Sequence, residues 1–430
     1  MSGHVGDMTT KQEAILKTLK ENCKDIAKPD WDDYYWTRWL RGRSLHLYTN
    51  PPLKCGDVVW RKEWNADNIL EWDPPEVVKK YYPGGYFGED KQGFPIWIEI
   101  LGSIDLKAMY FSTVKKDILR YKVYNAEYLF KYLLPEQCKK HGRKIERCSV
   151  IFDMQSLGLK HLWKPAVDLL TEMLSIMENH YPETLGVCYA INAPKLFPVM
   201  WNIAKPFLEE ETKRKIKILG KKYKEEILQY IDPDQLPVHW GGNCRDPDGN
   251  EYCQSKQSVT VAYFFCIIYI YVSESQYPCP ELDLYYLVVC MGGKIPEKYR
   301  LKNIRENIDL SNFENCNVAR GSTVQLDYEV TEPESTLRWQ FLTEDNDIGF
   351  GVFKRTTDER QKKGDMIEVV KSERVDSHLI PEEGSVMIDE PGQYVVRFDN
   401  TYSWTVSKKV SYLIDVLPPD TENELQVTEL

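Results

Sequence analysis

A change in the spacing of the apolar residues constrains the fold of this chain more than any other feature. Between Phe94 and Leu219, long helical patterns separate four short apolar runs of strand length: 94–101, 146–154, 185–192 and 215–219. Strands that alternate with helices of this length predict a largely parallel sheet covered by helices. After about residue 294, apolar residues instead recur at every second position, as in Leu337, Trp339 and Phe341. This period of two predicts an antiparallel β-sandwich.

At 430 residues the chain is long enough for two or three compact units, each with its own core. We predict a helical N-terminal subdomain at 1–75, an α/β unit at 76–250, a linker with an apolar insertion at 251–293, a β-sandwich at 294–418 and a frayed tail at 419–430. Inside the α/β unit, apolar residues at spacings of four and three predict one buried helix face. They are Leu162, Ala166, Leu169, Met173 and Ile176.

Segment 258–290 differs from the sequence around it. Its apolar core, VTVAYFFCIIYIYV, has 14 residues, fewer than the roughly 20 that a membrane-spanning helix requires. Its tyrosines and β-branched residues would suit a strand. Three interpretations stay open on these residues: a membrane span, an adventitious insertion such as translated intron sequence, and an extra β-hairpin.

Charge and cysteine content narrow the function classes. A net charge of −11 disfavours nucleic acid as a partner, because phosphate binding depends on Lys and Arg. The 11 cysteines are odd in number and irregularly spaced, and the N-terminus lacks an apolar secretory core, so we predict a cytoplasmic protein. The sequence contains no G-x-x-x-x-G-K-[ST], no G-x-G-x-x-G after a strand, no H-E-x-x-H and no G-x-S-x-G motif. We therefore predict no catalysis, no metal and no cofactor.

The most apolar stretch of the α/β unit is HYPETLGVCYAINAPKLFPVMWNIAKPFL, 180–208. In its strand, Gly186, Cys188 and Ala190 share one face, and their small side chains leave room there. The residues at helical spacing after the strand are Leu196, Phe197, Met200, Ile203, Ala204, Phe207 and Leu208, and Val199 and Trp201 widen this stripe beyond one packed face. Two interpretations remain: a helix buried on two sides, or a movable lid over an apolar cavity.

A basic run follows the lid candidate. Residues 212–224 contain seven Lys or Arg and no acidic residue. This pattern is typical of a solvated face, and it would also suit contact with an anionic membrane surface.

Several motifs resemble those of the CRAL-TRIO lipid-binding family: WTRWLRGRS, VVWRKEW, the run at 180–208, KIKILG and QLPVHWGG. Others resemble a GOLD domain: VARGSTVQLDYEV, LRWQFLTEDNDIGFGVF and GQYVVRFDNTYSWTVSKKVSYLIDV. The pairing is typical of animal phosphatidylinositol-transfer-like proteins. The resemblance covers nearly the whole chain except 258–290, where relatives pass directly from CQSK to GGKIP, and this favours the insertion.

The resemblance implies a helical subdomain, a bowl-shaped α/β CRAL-TRIO domain that holds one lipid under a gating helix, and an all-β GOLD sandwich. It implies a non-catalytic carrier that exchanges phosphatidylinositol, squalene or tocopherol with intracellular membranes through transient contact. The alternative is a lipid-regulated adaptor that recruits a protein partner through the GOLD domain.

Carried over residue by residue, the headgroup positions of the family fall on Arg61, Glu183, Thr212 and Lys215. The other expected ligand contacts are apolar or small: Cys148, Val150, Phe152, Cys188, Ala190, Phe197, Met200, Trp201, Ala204 and Phe207. The chain departs from yeast-type relatives at Thr184, where they have Arg, and at Cys148 and Val150, where they have a Ser/Thr pair that contacts phosphatidylcholine. The departures favour a more apolar second ligand.

Overall fold

The computed structural model describes residues 3–24, 27–28, 31–42, 52–220, 222–254, 289–301, 310–378 and 381–419, with the backbone only at 52–56. Most of the predicted insertion and the C-terminal tail therefore lie outside the described residues. No helix in the described ranges combines the length and the apolar character that crossing a bilayer requires.

The described part of the N-terminal region contains three helices: α1 (Thr10–Asn22), α2 (Asp33–Arg41) and α3 (Pro52–Trp64), followed by a 3-10 turn at Ala66–Glu71. Helix α1 begins with a capping box, in which Thr9 and Gln12 satisfy each other's backbone N–H groups. Leu16 of α1 packs against Trp36 and Leu40 of α2. The 3-10 turn packs against the α/β unit through Ala66 and Ile69, which are fully buried.

Where the structure describes it, the α/β unit contains eight further α-helices and five strands. In chain order they are α4 (Glu76–Tyr81), β1 (Gly85–Glu89), β2 (Pro95–Ile100), α5 (Leu106–Tyr110), α6 (Lys115–Tyr128), α7 (Leu134–His141), β3 (Cys148–Asp153), α8 (Lys164–His180), β4 (Leu185–Ile191), α9 (Phe197–Ala204), α10 (Glu210–Arg214), β5 (Ile216–Ile218) and α11 (Tyr223–Ile227). The sheet order is β1-β2-β3-β4-β5. Strands β2 to β5 are parallel, which confirms the four predicted strands.

Strand β1 was not predicted. It pairs antiparallel with β2 at the edge of the sheet, and its sequence GYFGE carries two glycines, which weaken the apolar signal of a strand. Gly88 is required there, because its φ is +63° and a Cβ would lie 2.2 Å from the carbonyl oxygen of Gln235.

One face of this sheet forms a dry core. Ile96 and Ile98 of β2, Ile151 of β3 and Tyr189 of β4 are fully buried together with Trp240. The Trp240 Nε1 atom donates a hydrogen bond of 3.0 Å to Asp153 Oδ2, which ties the end of the unit to its central strand. The opposite face is the one that carries the predicted small residues.

In the described residues of the C-terminal unit, eight antiparallel strands form a sandwich. They are β6 (Glu314–Val318), β7 (Thr323–Val330), β8 (Ser335–Thr343), β9 (Ile348–Lys354), β10 (Ile367–Val375), β11 (Glu382–Ile388), β12 (Gly392–Asp399) and β13 (Lys408–Leu417). They make two sheets, β10-β9-β12-β7 and β11-β8-β13-β6, and this alternation between sheets is that of a jelly roll. The residues predicted to alternate inward, among them Phe341 and Phe398, form its core.

The described ends of the predicted linker are packed. Tyr252, Val289 and Met291 join the apolar cluster around Trp240, and Val289 is fully buried. Cys290 and Gly84 exchange two backbone hydrogen bonds of 2.8 and 3.2 Å. Residues 289–291 therefore belong structurally to the α/β unit.

The sandwich packs against the α/β unit through the outer face of the sheet that contains β8. All nine residues of β8 are buried, so both of its faces are covered. Arg338 Nη1 donates to the carbonyl oxygen of Leu162 at 3.1 Å, and Lys107 pairs with Glu383 at 2.7 Å.

Candidate functional site

The sheet face opposite the dry core is built from small and apolar side chains. It carries Cys148, Val150 and Phe152 of β3 and Cys188 and Ala190 of β4, and we call it the apolar face. Val150 pairs in register with Cys188, which places these side chains side by side. The alternation inferred from the sequence of β4 is confirmed, because Tyr189 and Ile191 lie in the core on the other side.

Solvent access differs between the two faces of the central strand. Ser149, Ile151 and Asp153 are buried, whereas Val150 and Phe152 are only half-buried although helices cover the sheet. Apolar side chains in the middle of a covered sheet are normally packed to full density. The partial exposure of Val150 and Phe152 therefore marks open space beside these two residues, whereas Cys148, Cys188 and Ala190 on the same face are buried.

Helix α9 lies over one end of the apolar face. Phe197 and Trp201 form a buried cluster with Ala190, and Phe152 packs against this cluster. Phe197 and Trp201 stack with ring centroids 6.2 Å apart. These predicted ligand contacts therefore meet at one place in the fold.

The helix after β4 is shorter than its apolar spacing predicted. It ends at Ala204, and a 3-10 turn at Lys205–Phe207 replaces its last turn, because Pro206 cannot donate a helical hydrogen bond. Met200 and Ala204 are half-buried, and Phe207 is 42% exposed. Phe207, predicted as a ligand contact, is therefore the most exposed of these residues.

The outer side of α9 explains why its apolar stripe is so wide. Leu196 and Val199 are buried in a cluster to which the sandwich contributes Met387 and Leu417. Asn202 Nδ2 donates a hydrogen bond of 3.1 Å to the carbonyl oxygen of Pro418. Helix α9 is thus covered on two sides in this structure, by the sheet and by the sandwich.

A charged cluster lies where the parallel strands begin. Glu183 Oε1 is 3.3 Å from Lys215 Nζ, and Glu183 Oε2 accepts a hydrogen bond of 2.7 Å from Arg147 Nη2. Arg41 Nε lies 3.9 Å from the same carboxylate. The side chains of Glu183 and Lys215 are 11% and 17% exposed. Two of the four predicted headgroup positions, Glu183 and Lys215, are therefore in contact.

Glu183 has an unusual backbone and a stabilised charge. Its φ of +60° is rare for a residue other than glycine, and such conformations concentrate at functional sites. Burial alone would raise the pKa of its carboxyl group, but Lys215, Arg147 and Arg41 hold that pKa below its ordinary value. Glu183 is thus a fixed anion among three cations.

The other two headgroup positions are arranged differently. The Arg61 guanidinium contacts Asp67 at 2.6 Å and Glu127 at 2.9 Å. Tyr181, two residues before Glu183, also donates to Glu127 at 2.7 Å, so Arg61 belongs to an adjoining network. Thr212 takes part through its backbone, since its carbonyl oxygen accepts a hydrogen bond of 3.0 Å from Lys215 N.

Sequence reasoning missed Arg147 and Arg41 as members of this cluster. Arg147 immediately precedes β3 and Glu183 lies just before β4, and the pairing of Cys148 with Leu185 brings the starts of these strands together. The sequence did carry a signal for this contact: a charged residue lies just before each of two parallel strands, and the starts of parallel strands lie at the same edge of a sheet. Arg41 approaches from the N-terminal helices, and local sequence carries no sign of that contact.

A second polar cluster, also missed, lies beside the apolar face. Glu99 Oε1 accepts a hydrogen bond of 2.8 Å from the Tyr82 hydroxyl, and Glu99 Oε2 accepts one of 2.9 Å from Trp97 Nε1. Lys122 Nζ donates to Glu99 Oε2 at 2.5 Å, and burial lowers the pKa of this lysine while Glu99 opposes the shift. Trp97 pairs in register with Val150, so this cluster borders the open space.

Four residues of the basic run, Lys213, Arg214, Lys215 and Lys217, lie in three different environments. Lys213 and Arg214 pair with Glu210 and Glu211 three residues earlier in the chain, as expected for a solvated face. Lys215 faces Glu183. Lys217 lies on the other side of the sheet, 3.9 Å from the ring centroid of Tyr230. The run is therefore not one continuous surface in the structure.

Cys148 is buried, and burial raises the pKa of its thiol to about 12, so it behaves as a small apolar residue at neutral pH. In the parts of the chain that the structure describes, no group of three His, Cys, Asp or Glu side chains is placed to hold a metal ion.

Comparison with known proteins identifies the family. The family model for the CRAL/TRIO domain matches residues 79–242. The Sec14 cytosolic factor of Schizosaccharomyces pombe is 34% identical over 253 residues, which covers 58% of this chain and 88% of that protein. The chain therefore belongs to the CRAL/TRIO family.

Two solved structures are also similar. The crystal structure of Sfh5 shares 15% identity, with a TM-score of 0.44, and the match covers 60% of this chain and 97% of that one. The crystal structure of PirA shares 10% identity, with a TM-score of 0.19, and the match covers 25% of this chain and 97% of that one.

Proposed function

We propose that this chain is a non-catalytic cytoplasmic carrier that holds one hydrophobic lipid on the apolar face beneath α9 and exchanges it with membranes by transient contact. The observation that carries the proposal is the partial exposure of Val150 and Phe152 in the middle of a helix-covered sheet. Membership of the CRAL/TRIO family supports lipid binding and transfer.

The physical need for such a carrier follows from the cost of moving a lipid through water. Each buried CH₂ group contributes about 0.8 kcal/mol, so a 16-carbon chain that leaves a bilayer for water faces roughly 13 kcal/mol. An apolar space of suitable size removes most of that barrier. The face offers apolar and small side chains at Val150, Phe152, Cys188 and Ala190. Such a surface selects a ligand only by its shape and its lack of polar groups.

Phosphatidylinositol is the polar-headed ligand that we propose. Lys215, with Arg147 and Arg41 beside it, would meet its phosphate, and Glu183 would accept hydrogen bonds from inositol hydroxyls. Cys148 and Val150 offer no hydroxyl group, which favours squalene or tocopherol over phosphatidylcholine as the second ligand. This assignment agrees with the resemblance to supernatant protein factor, also called tocopherol-associated protein, and to its GOLD domain.

Identification of co-purified lipids tests the carrier function. The purified full-length protein should release about one lipid per chain on solvent extraction, as measured by mass spectrometry. The matched control is Val150→Trp, which should fill the open space and lower the lipid content several-fold without unfolding the protein. Recovery of no lipid above the level of an unrelated protein of similar size would contradict the proposal. The adaptor alternative gains no specific support from the described residues.

A further inference from the structure

Helix α9 is held from outside by the C-terminal sandwich. The apolar part of this contact is a cluster in which Leu196 and Val199 are almost fully buried, while Met387 of β11 and Leu417 of β13 pack against them. The polar part is the hydrogen bond of 3.1 Å from Asn202 Nδ2 to the carbonyl oxygen of Pro418. Both parts use the side of the helix that faces away from the sheet.

The sandwich is itself anchored to the segment that precedes α8. Arg338, which is 7% exposed, donates at 3.1 Å to the carbonyl oxygen of Leu162 and is held by Asp415 at 2.7 Å. Ser385 donates at 3.1 Å to the carbonyl oxygen of Leu159. A buried guanidinium keeps its position because loss of its partners would leave a charge unpaired. The sandwich therefore cannot shift away from α9 without breaking these bonds.

The inner side of α9 covers one end of the apolar face. Phe197 and Trp201 lie in one cluster with Ala190, and Phe152 packs against it. With eight residues, α9 is too short to be stable alone, so its position depends on the surfaces that pack against it. An outward movement of α9 that widens access to Phe152 would have to disturb the cluster of Leu196 and Val199 against which Met387 and Leu417 pack.

From these contacts we propose that the C-terminal sandwich is a latch on α9, which sets the rate at which ligand enters and leaves the apolar face. The inference rests on the proposed carrier function and gives the sandwich a role in it. Contacts between domains of one chain resemble transient interfaces, so a latch of this kind can open without unfolding either unit. Exchange would then require the sandwich to release α9.

The test weakens the latch from the sandwich side and leaves α9 unchanged. The variant is Met387→Asp with Leu417→Asp in the full-length protein, and the control is Ile367→Asp, an apolar residue of the sandwich that is 57% exposed. The two measurements are the transfer rate of fluorescently labelled phosphatidylinositol between phosphatidylcholine vesicles and the hydrogen exchange of peptides that cover residues 196–208.

The latch variant should transfer lipid about tenfold faster than the native protein, a factor that corresponds to about 1.4 kcal/mol, and its α9 amides should exchange faster. The control should match the native protein in both measurements. Unchanged transfer and unchanged exchange in the latch variant would overturn the proposal, and so would slower transfer by a folded variant.

A milder variant keeps the test decisive if the double substitution unfolds the sandwich. Asn202→Ala removes only the hydrogen bond to Pro418, and it should accelerate both lipid transfer and the hydrogen exchange of α9 amides by roughly two- to fivefold.

Failure of the carrier function is distinguishable from failure of the latch. A native protein that transfers no lipid refutes the carrier, while the exchange of α9 amides still reports whether the sandwich holds the helix.

Discussion

Lys215→Ala should weaken phosphatidylinositol retention selectively. Lys215 Nζ lies 3.3 Å from Glu183 Oε1, and both side chains are less than one fifth exposed, so solvent screens this site only partly. A charge-assisted hydrogen bond to a headgroup phosphate in such a place contributes about 1.5–3 kcal/mol. Its loss should reduce phosphatidylinositol retention roughly 10- to 150-fold. Squalene and tocopherol present no phosphate, so their transfer should stay close to native.

The fold should survive this substitution, because Arg147 still contacts Glu183 at 2.7 Å and keeps the carboxylate paired. The matched control is Lys213→Ala. Lys213 pairs with Glu210, whose side chain is 75% exposed, and a surface pair of this kind contributes about 0–1 kcal/mol. The assay measures transfer of phosphatidylinositol and of squalene between vesicles at about 0.05 M and about 0.5 M salt.

General attraction of the basic run to anionic membranes makes a different prediction. It requires Lys213→Ala and Lys215→Ala to slow both ligands equally, and more strongly at low salt. Equal impairment of the two ligands by Lys215→Ala would therefore refute the headgroup assignment.

Three further predictions concern the apolar face, the acid response and the insertion. Val150→Trp should lower stability by no more than about 1 kcal/mol in urea unfolding, whereas Ile151→Trp, on the dry face, should cost about 1–3 kcal/mol or more; equal losses would show that no open space exists. The pKa of the Glu183 carboxyl group is lower in the folded protein than in the unfolded chain. Its carboxylate therefore stabilises the fold at pH values above the unfolded-state pKa, and this contribution is lost as the pH falls through the folded-state pKa. Glu183→Gln should thus be less stable than native at pH 7 and should lose less stability between about pH 5 and pH 2, and parallel unfolding curves at both pH values would contradict this. Deletion of 258–288, which retains Val289, should leave a folded protein that binds lipid, and loss of the native circular dichroism spectrum would show that the segment is integral.

Local patterns in the sequence determined the strands of both units and which of their residues face the core. The four runs predicted as parallel strands became β2 to β5, because short apolar runs between helical patterns can be buried on both faces only in a covered sheet. The alternation of Leu337, Trp339 and Phe341 predicted which residues form the core of the sandwich. The small residues of β4 predicted the apolar face, since a strand places alternate residues on opposite sides whatever surrounds it.

The headgroup cluster shows where local reasoning ends. Glu183 meets Arg147 through the register of two parallel strands, and Lys215 through the start of a third. Arg61 pairs with Asp67, six residues later in the chain, and with Glu127, which α6 brings to it from a distant part of the sequence. Pairings between residues far apart in the chain follow from packing, and the local spacing of residues does not encode them.

Helix α9 separates the two kinds of information most clearly. Its sequence determined that more than one face would be apolar, because Val199 and Trp201 widen the stripe that contains Leu196, Phe197 and Met200. The same spacing is compatible with a lid exposed to a membrane and with a helix covered by protein, since burial by either removes apolar surface from water. Only the tertiary structure shows what covers the outer side of the helix, because Met387 and Leu417 come from a domain far along the chain and pack against the cluster of Leu196 and Val199.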